Sequence, residues 1–270
     1  MTSANGSGAP GGRGARVVLL ATRCPAADVI YHALRAAVGP LDVVLEQRVP
    51  RSQFLRRRVR RLGLRTVAGQ VLFMATVVPV LERRGRRRSA EILELGDLRL
   101  APIPEVYAEV QSANSDEARA LLQELGPSIV VVAGTRILSK ATLACVDAPF
   151  VNLHMGITPC YRGVHGGYWA LAEGRPDMAG STVHMIDAGI DTGAVLRQAT
   201  FKPEPEDSFV TYVFHHLAVG VPILVETVQD MLADHTWSPP STNGTGGESR
   251  LRTHPTLWSY LATRRRMAVR

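Results

Sequence analysis

Apolar residues recur with two different spacings along this chain, and the spacing predicts which element each stretch forms. Continuous apolar runs with many β-branched residues, typical of buried parallel strands, occur at residues 17–21, 41–45 and 129–133. Residues 151–154 and 181–186 alternate as strands do, 194–201 fits an outer strand, and helical spacing occurs at 26–38, 116–125 and 208–234. Strands alternating with helices predict an α/β protein with a Rossmann-like, mostly parallel sheet flanked by helices.

The polar segments divide the chain further. Residues 1–15 are rich in Gly and Ser and contain no apolar stretch, so we predict a disordered lead rather than a signal peptide. Residues 16–235 contain the predicted sheet and form one domain. Residues 238–249 lack apolar residues, which predicts a linker followed by a basic tail within residues 236–270, too short for a second folded domain.

Positive charge is concentrated in one segment. The formal net charge is +7, but residues 51–88 alone contain twelve Arg and a single acid, Glu82, so the rest of the chain is net acidic. We therefore predict a basic helical insertion over residues 51–95. Because the main body is acidic, we expect no general affinity for nucleic acid.

Three interpretations of this insertion are open. Its uncharged run, residues 66–81, contains Pro79 and is shorter than the ~17–25 residues of a membrane-spanning helix. An interfacial helix pair on an anionic membrane fits better, with residues 250–270 adding apolar and basic side chains to residues 51–88. Alternatively, the Arg residues of the insertion bind the phosphate of a substrate or nucleotide, or they form a solvated helical face that needs no partner.

The three cysteines, Cys24, Cys145 and Cys160, share no metal-ligand spacing and suggest neither a disulfide framework nor a zinc site. We therefore expect a cytoplasmic protein that is at most peripheral to a membrane, with no metal. The sequence does not indicate an oligomeric state.

Candidate chemistry is concentrated between residues 151 and 193. Asn152 and His154 are two residues apart on a predicted strand, so their side chains point to the same side. An amide and an imidazole N–H that converge on one carbonyl oxygen can stabilise an oxyanion. Asp191 lies in a Gly-flanked turn and would complete the site as its carboxylate.

Two segments in this region resemble a known enzyme family. Residues 152–163 read N-L-H-M-G-I-T-P-C-Y-R-G, and residues 180–193 read G-S-T-V-H-M-I-D-A-G-I-D-T-G. They resemble the patterns N-x-H-x-S-L-L-P-x-Y-R-G, T-G-x-T-x-H and D-x-G of the formyltransferases that use 10-formyltetrahydrofolate. The agreeing positions are Asn152, His154, Pro159, Arg162, Gly163, Gly180, His184, Asp191 and Gly193.

The resemblance, which covers roughly residues 103–232, implies roles for individual residues. Asn152, His154 and Asp191 would be the catalytic trio: Asn152 and a protonated His154 stabilise the oxyanion formed when an amine attacks the formyl carbon, and Asp191 orients His154. The folate co-substrate would be held by Arg136, Ile137, Leu138, Asp187, Ala188 and Gly189. We also expect the amine acceptor to contact Tyr161, Arg162, Gly163, His165, Tyr168 and Trp169, because these residues cluster just past the strand that carries Asn152 and His154. The histidines His184, His215 and His216 are expected to be structural.

Departures from the family pattern limit the choice of acceptor. Gly156 and Thr158 replace the Ser and the second Leu of S-L-L-P, and A-T-R-C-P-A-A-D at residues 21–28 replaces the glycine-rich phosphate loop of the purine-pathway member. The predicted tail cannot supply the C-terminal barrel of methionyl-tRNA formyltransferases. We therefore expect an N-formyltransferase acting on an amino sugar, nucleotide- or lipid-linked, or on a related small metabolite. The alternatives are a formyltetrahydrofolate hydrolase and a non-catalytic, basic membrane-associated protein on the same fold.

Overall fold

The computed structural model describes residues 15–234 and 248–267. Its strands are β1 (Val17–Thr22), β2 (Leu41–Glu46), β3 (Ala108–Val110), β4 (Ile129–Ala133), β5 (Phe150–His154), β6 (Tyr161–Gly163), β7 (Gly180–Met185), β8 (Val195–Thr200) and β9 (Arg250–Arg252). Its α-helices are α1 (Pro25–Val38), α2 (Arg51–Leu62), α3 (Leu64–Leu72), α4 (Val78–Leu95), α5 (Asp116–Leu125), α6 (Lys140–Leu143), α7 (Gly166–Ala172), α8 (Tyr212–Ala233) and α9 (Leu257–Met267).

Seven strands form one sheet in the order β3-β2-β1-β4-β5-β7-β8. The five strands from β3 to β5 are parallel, whereas β7 and β8 are antiparallel to their neighbours. The strand order reverses at β1, which has β2 on one side and β4 on the other. The predicted Rossmann-like, mostly parallel sheet is therefore confirmed, and ligands of such sheets bind at the carboxyl ends of the strands near this reversal.

Alternate residues of the central strands enter two separate cores. Val17 and Leu19 of β1 pack in the core that includes α1 and α8, whereas Val18 and Leu20 pack in the core that includes α5. Both faces of the sheet are thus covered by helices, as the continuous apolar runs predicted. The six predicted sheet strands are confirmed to within two residues, and the long helix predicted at residues 208–234, α8, begins at Tyr212.

The basic insertion is helical, as predicted. Residues 64–95 form one continuous helical segment in which a π-helical turn, Phe73–Val77, separates α3 from α4. Pro79, at the start of α4, has no N–H to donate, and the wider turn before it accommodates the missing hydrogen bond. The helix α2 buries none of its residues.

The basic tail differs from the predicted linker and extension, because it is part of the domain. Strand β9 pairs in parallel with β6, and α9 packs against α3 and α7. Tyr260 of α9 is completely buried among Phe73, Tyr168 and Phe209. The tail therefore contributes an aromatic side chain to the core. The many Arg residues of the tail led the sequence to predict an exposed extension instead. The predicted lead and most of the predicted linker, residues 1–14 and 235–247, lie outside the described residues.

Two helical segments are long and apolar enough to cross a membrane by length and composition, Leu64–Leu95 and Tyr212–Ala233. The second, α8, is a core helix whose Leu217, Val221, Leu224 and Val228 are buried against the sheet. The first lies on the surface, with 33% of its most apolar window buried.

Candidate active site

The site is built on the neighbouring strands β5 and β7. In their antiparallel register Asn152 lies opposite His184 and His154 lies opposite Thr182, so Asn152, His154 and His184 share one face of the sheet. The two imidazole centroids are 6.2 Å apart. The sequence therefore identified two side chains of this face and assigned the third, His184, to a structural role.

Asp191 reaches the same face from the loop that joins β7 to β8. Its backbone is left-handed, with φ 51°, and one carboxylate oxygen accepts the N–H of Gly163 at 2.8 Å. That oxygen lies 3.5 Å from Nδ1 of His154, and the other lies 3.7 Å from Nε2 of His184. The structure thus brings together Asn152, His154 and Asp191, which are separated by up to 39 residues in the sequence.

The hydrogen bonds of His184 fix how Asn152 is oriented. Nδ1 of His184 lies 2.7 Å from the carbonyl oxygen of Met185, which can only accept, so Nδ1 carries the proton. Nε2 then accepts one amide hydrogen of Asn152 at 3.1 Å. This contact leaves the second amide hydrogen of Asn152 available for a ligand oxygen.

His154 is held by a different contact. Its Nε2 donates to the carbonyl oxygen of Tyr161 at 2.7 Å, and its Nδ1 faces Asp191. Burial lowers the pKa of His154, although the charge of Asp191 opposes this effect. The expectation of a protonated His154 that donates to an oxyanion is therefore wrong for this structure, because the imidazole is neutral at neutral pH and presents a lone pair at Nδ1.

Asp191 is ionised beside this neutral ring. Burial alone would raise the pKa of Asp191, but the positive charge that His184 and His154 carry when they are protonated, together with the N–H of Gly163, outweighs burial and lowers it. An ionised carboxylate next to a buried imidazole favours protonation of that imidazole during a reaction. The pair can therefore accept a proton.

Gly156 allows the contact between His154 and Tyr161. A Cβ at residue 156 would lie 2.4 Å from the carbonyl oxygen of Tyr161 and 2.7 Å from Nε2 of His154. Both distances are shorter than atoms of these types tolerate, so the approach of carbonyl to imidazole requires glycine at this position.

The loop after β4 holds the first three candidate folate-binding residues. Arg136 forms an ion pair with the buried Glu46, whose carboxylate also accepts the Arg136 N–H at 2.9 Å and the Ala113 N–H at 2.7 Å. The Leu138 side chain is buried in the core, whereas Ile137 is 57% exposed. Glu46, which the sequence analysis did not identify, therefore fixes the shape of this loop from the end of β2.

The other three candidate folate-binding residues form an exposed turn. Asp187 accepts the Gly189 N–H at 2.9 Å and the Thr192 hydroxyl at 2.7 Å, which closes a compact loop around Ala188. The residues belong to the segment that carries Asp191. Their side chains and backbone remain accessible to a ligand.

Two of the candidate acceptor contacts have buried side chains. Tyr168 is 1% exposed in the aromatic core beside Phe209 and Tyr260. Tyr161 is 4% exposed, and its hydroxyl donates to Glu173 at 3.2 Å. These side chains stabilise the fold, and the expectation that they contact an acceptor is wrong because neither reaches the surface.

The remaining acceptor candidates connect the site to the tail. Arg162 donates to the carbonyl oxygen of Ile190, next to Asp191, at 3.2 Å. Nε2 of His165 lies 2.8 Å from Nδ1 of His254, and Trp169 donates to the carbonyl oxygen of Thr253 at 3.0 Å. With the Gly163 N–H bound to Asp191, this segment positions the Asp191 carboxylate.

A cleft of about 440 Å³ opens at the carboxyl ends of β1, β2 and β3. Arg23, Glu46, Arg48 and Glu109 line it, and Arg23 and Glu109 form an ion pair at 2.7 Å. Clefts at this edge bind ligands in doubly wound sheets. Within the described part of the chain, no group of three or more His, Cys, Asp or Glu is arranged to hold a metal ion.

Comparison with known proteins agrees with this geometry. Among curated proteins, the methionyl-tRNA formyltransferase of Koribacter versatilis is 32% identical over 146 residues, which are 54% of this chain and 46% of that protein. The corresponding enzyme of Acidobacterium capsulatum is 37% identical over 130 residues, or 47% of this chain and 41% of that protein. The chain thus spans about half the length of the curated relatives it matches.

Solved structures show the same fold. A sugar N-formyltransferase from a Shewanella species superposes with a TM-score of 0.55 at 16% identity, covering 93% of this chain and 87% of the other. Glycinamide ribonucleotide transformylase 1 from Symbiobacterium toebii superposes with a TM-score of 0.52 at 18% identity, covering 81% of this chain and 88% of the other. Residues 15–228 also match the sequence pattern of the formyl transferase family. The chain therefore belongs to the formyl transferase family.

Proposed function

We propose that this chain is an N-formyltransferase that acts on a primary amine of an amino sugar or a related small metabolite. The observation that carries the proposal is the convergence of an amide donor, an imidazole and a carboxylate on the face formed by β5 and β7. Asn152, His154 and Asp191 provide the groups that transfer of an acyl group to an amine requires.

Asn152 stabilises the oxyanion in this proposal. Its second amide hydrogen has no protein partner among the described residues, so it is available to the formyl oxygen as that atom becomes negative. His184 holds the amide by accepting its other hydrogen. A donor fixed in this way costs no reorganisation when the charge develops.

His154 and Asp191 remove the proton from the attacking amine. The amine nitrogen bonds to the formyl carbon, Nδ1 of His154 accepts the proton, and the carboxylate of Asp191 stabilises the imidazolium. The bond between the formyl carbon and N10 of the folate then breaks, and a proton returns to that nitrogen. The proton that the amine loses is thus matched by the proton that the folate nitrogen gains, and His154 returns to its neutral form.

In this proposal the formyl donor is 10-formyltetrahydrofolate, and it binds to the two loops that flank Asn152, His154 and Asp191. The exposed apolar side chain of Ile137 and the backbone of residues 136–138 offer a surface for the pterin ring, and the turn at residues 187–189 lies beside Asp191. The acceptor then approaches from the charged cleft at Arg23 and Arg48. A sugar N-formyltransferase that superposes on 93% of the chain supports this class of acceptor.

The test is incubation of the purified chain with 10-formyltetrahydrofolate and separate acceptors. The acceptors are free amino sugars, nucleotide-linked amino sugars and methionyl-tRNA, with a reaction that lacks an acceptor as the blank. Release of tetrahydrofolate is followed by absorbance, and the product is identified by the added mass of one formyl group. Asn152→Ala serves as the inactive variant, and Gln123→Ala removes an exposed amide of α5 as the matched control.

Formylation of an amino sugar by the native chain and by Gln123→Ala, with loss in Asn152→Ala, supports the proposal. Formylation of methionyl-tRNA alone would retain the formyl transfer and overturn the acceptor class. Formate release in the blank at the rate of the complete reaction would identify a hydrolase. No release with any acceptor would overturn the proposed function.

A further inference from the structure

We propose that the helical insertion and the tail helix form a docking surface for a membrane that contains anionic lipid. The docking surface consists of α2, the outer face of residues 64–87, which include α3 and the first part of α4, and α9. Its exposed apolar side chains are Phe54, Leu55, Leu64, Val71, Leu72, Met74, Val80, Trp258 and Leu261. This proposal concerns where the protein binds and does not depend on the identity of the acceptor.

The first observation is that α2 is weakly anchored: it contacts α3, and Arg58 donates to Gln70 at 2.7 Å, but the helix adds nothing to the core. It contains six Arg and no acid, and it buries none of its twelve residues. Arg56 and Arg60, like Arg57 and Arg61, are four residues apart, so their charges repel on one helix surface. A helix of this length is marginal in water without burial. An anionic surface would remove the repulsion and provide contact for Phe54 and Leu55.

The second observation is the division of residues 64–95 into two faces. Val67, Gln70, Phe73, Val78 and Leu81 are buried at helical spacing and attach the helix to the protein. The opposite face contains the exposed Val71, Leu72, Met74 and Val80 and has no charge between residues 66 and 81. Over roughly 24 Å of helix the solvent face is therefore apolar, which a soluble surface helix does not need.

Basic residues stand at both ends of this apolar face. Arg65 precedes it, and Arg83, Arg84, Arg86 and Arg87 follow it, all exposed. An amphipathic helix that lies in the plane of a membrane has this arrangement, with apolar side chains in the acyl region and Arg at the headgroups. Nucleic acid would be bound by the Arg but offers nothing comparable to the apolar face.

The tail helix adds an aromatic anchor. Trp258 packs on Gly69, where a Cβ would lie within 2.7 Å of three atoms of the indole ring, yet Trp258 is 51% exposed. Arg264, Arg265 and Arg266 are exposed on the same helix. Tryptophan beside exposed Arg is typical of the interface between acyl chains and headgroups.

Charge favours a lipid surface over a second copy of the chain. A symmetric dimer through the docking surface would place the Arg groups of two copies against each other, with Glu82 as the only acid in residues 51–88. An anionic membrane instead neutralises each Arg. The surface is also linked to the site, because Gln70 donates to the carbonyl oxygen of His254, which contacts His165.

The test is cosedimentation of the full chain with vesicles of phosphatidylcholine, with and without phosphatidylglycerol. Arg56→Gln, Arg57→Gln and Arg60→Gln are combined in one variant, and Arg35→Gln, Arg99→Gln and Arg175→Gln in a control that loses the same charge elsewhere. We expect the first variant to bind anionic vesicles about a hundred-fold more weakly, and the control to bind as the native chain does. Binding should weaken as salt rises.

The apolar contribution is tested separately. Val71→Gln with Leu72→Gln should abolish binding, whereas Leu95→Gln with Leu100→Gln, which changes exposed leucines outside the docking surface, should not. Lipids brominated in the acyl chain should quench the native tryptophan fluorescence, and quenching should be reduced in Trp258→Phe.

Three results would overturn the proposal. The first is the absence of binding to anionic vesicles at low salt. The second is an equal loss of binding in the two triple variants, which would show that binding depends on the net charge of the protein and not on α2. The third is a dimer in sedimentation velocity that dissociates in Val71→Gln with Leu72→Gln while vesicles bind neither form, which would assign the surface to a second copy.

Discussion

At the scale of the residue, Gly156 decides how the imidazole of His154 is held. The family pattern has serine at this position, and a side chain there would occupy the space that the Tyr161 carbonyl uses to reach His154. Glycine therefore permits the bond that places the proton on Nε2 and the lone pair on Nδ1. The departure from the family motif lies at the centre of the site and not only in the loop beside it.

We expect Gly156→Ser to break the bond between His154 and the Tyr161 carbonyl, because a Cβ 2.4 Å from that oxygen forces the carbonyl or the ring to move. The kcat should fall at least ~10-fold with little change in KM for the folate, since the change disturbs a catalytic group. The measurement is steady-state kinetics together with the His154 ring signals in NMR spectra. Native kinetics with unchanged ring signals would contradict this account.

Asn152 is expected to act through its free amide hydrogen. Asn152→Ala should reduce turnover by about 10² to 10³, the usual effect of removing one oxyanion donor, while the unfolding temperature changes little. Steady-state rates and thermal melts measure the two effects. Turnover within a factor of two of the native chain would show that the oxyanion is held elsewhere.

Asp191 controls when His154 is neutral. The carboxylate charge raises the pKa of His154 against the effect of burial, and the reaction requires the neutral ring. Activity should therefore fall as the pH drops through this pKa, and Asp191→Asn should move that acidic limb to lower pH while reducing the maximal rate. A profile of kcat/KM against pH measures the shift, with Asp177→Asn, an exposed carboxylate, as the control. If the acidic limb of the profile stayed at the same pH, Asp191 would have only the structural role of forming its turn.

At the scale of the element, the tail supports the segment that positions Asp191. Strand β9 holds β6, whose last residue, Gly163, binds Asp191, and α9 covers the aromatic core under α7. Gly163 has φ 93°, and a Cβ there would lie 2.3 Å from the carbonyl oxygen of Arg252. The two strands approach closely because this residue is glycine.

We expect Tyr260→Ala to destabilise the protein by about 3–5 kcal/mol, because it removes a fully buried ring from contact with Phe73 and Tyr168. Leu261→Ala, on the exposed side of the same helix, should change the free energy of unfolding by less than about 1 kcal/mol. Urea unfolding measures both. Equal effects of the two substitutions would show that α9 does not pack as described.

The same elements explain what the sequence could and could not predict. Strands with continuous apolar runs, such as residues 129–133, were predicted to the residue because burial on both faces leaves a strong pattern. The strands β3, β6 and β9 have three residues each and leave no periodicity. His184 resembled a structural histidine, since only the register of β5 and β7 places it opposite Asn152. The role of Glu46 depends on three segments that meet in space.

At the scale of the whole molecule, buried neutral histidines link stability to pH. Burial lowers the pKa of His165 and His216 to about 3 and that of His254 to about 4. In the unfolded chain these groups titrate near 6.5, so below that pH the unfolded state binds more protons than the folded state. Stability is therefore lost as the pH falls from about 6.5 toward 4.

We expect the free energy of unfolding to decrease by up to about 1.4 kcal/mol for each of these histidines per pH unit in that range. Urea unfolding at several pH values between 7.5 and 4.5 measures the slope. Replacement of His254 by Asn should reduce the slope, because one buried titrating group is removed. A stability that is constant down to pH 4.5 would show that these rings are protonated in the folded protein.

The pairing of β6 with β9 also fixes the order in which the enzyme becomes competent during synthesis. The strands β1 to β8 can associate once residue 200 has left the ribosome, but Gly163 gains its partner only after Arg252 emerges. The segment that positions Asp191 must therefore wait until residues 250–252 have emerged. We expect nascent chains that stop before residue 250 to hold the folded sheet without the finished site, so formyl transfer begins only after β9 has paired with β6.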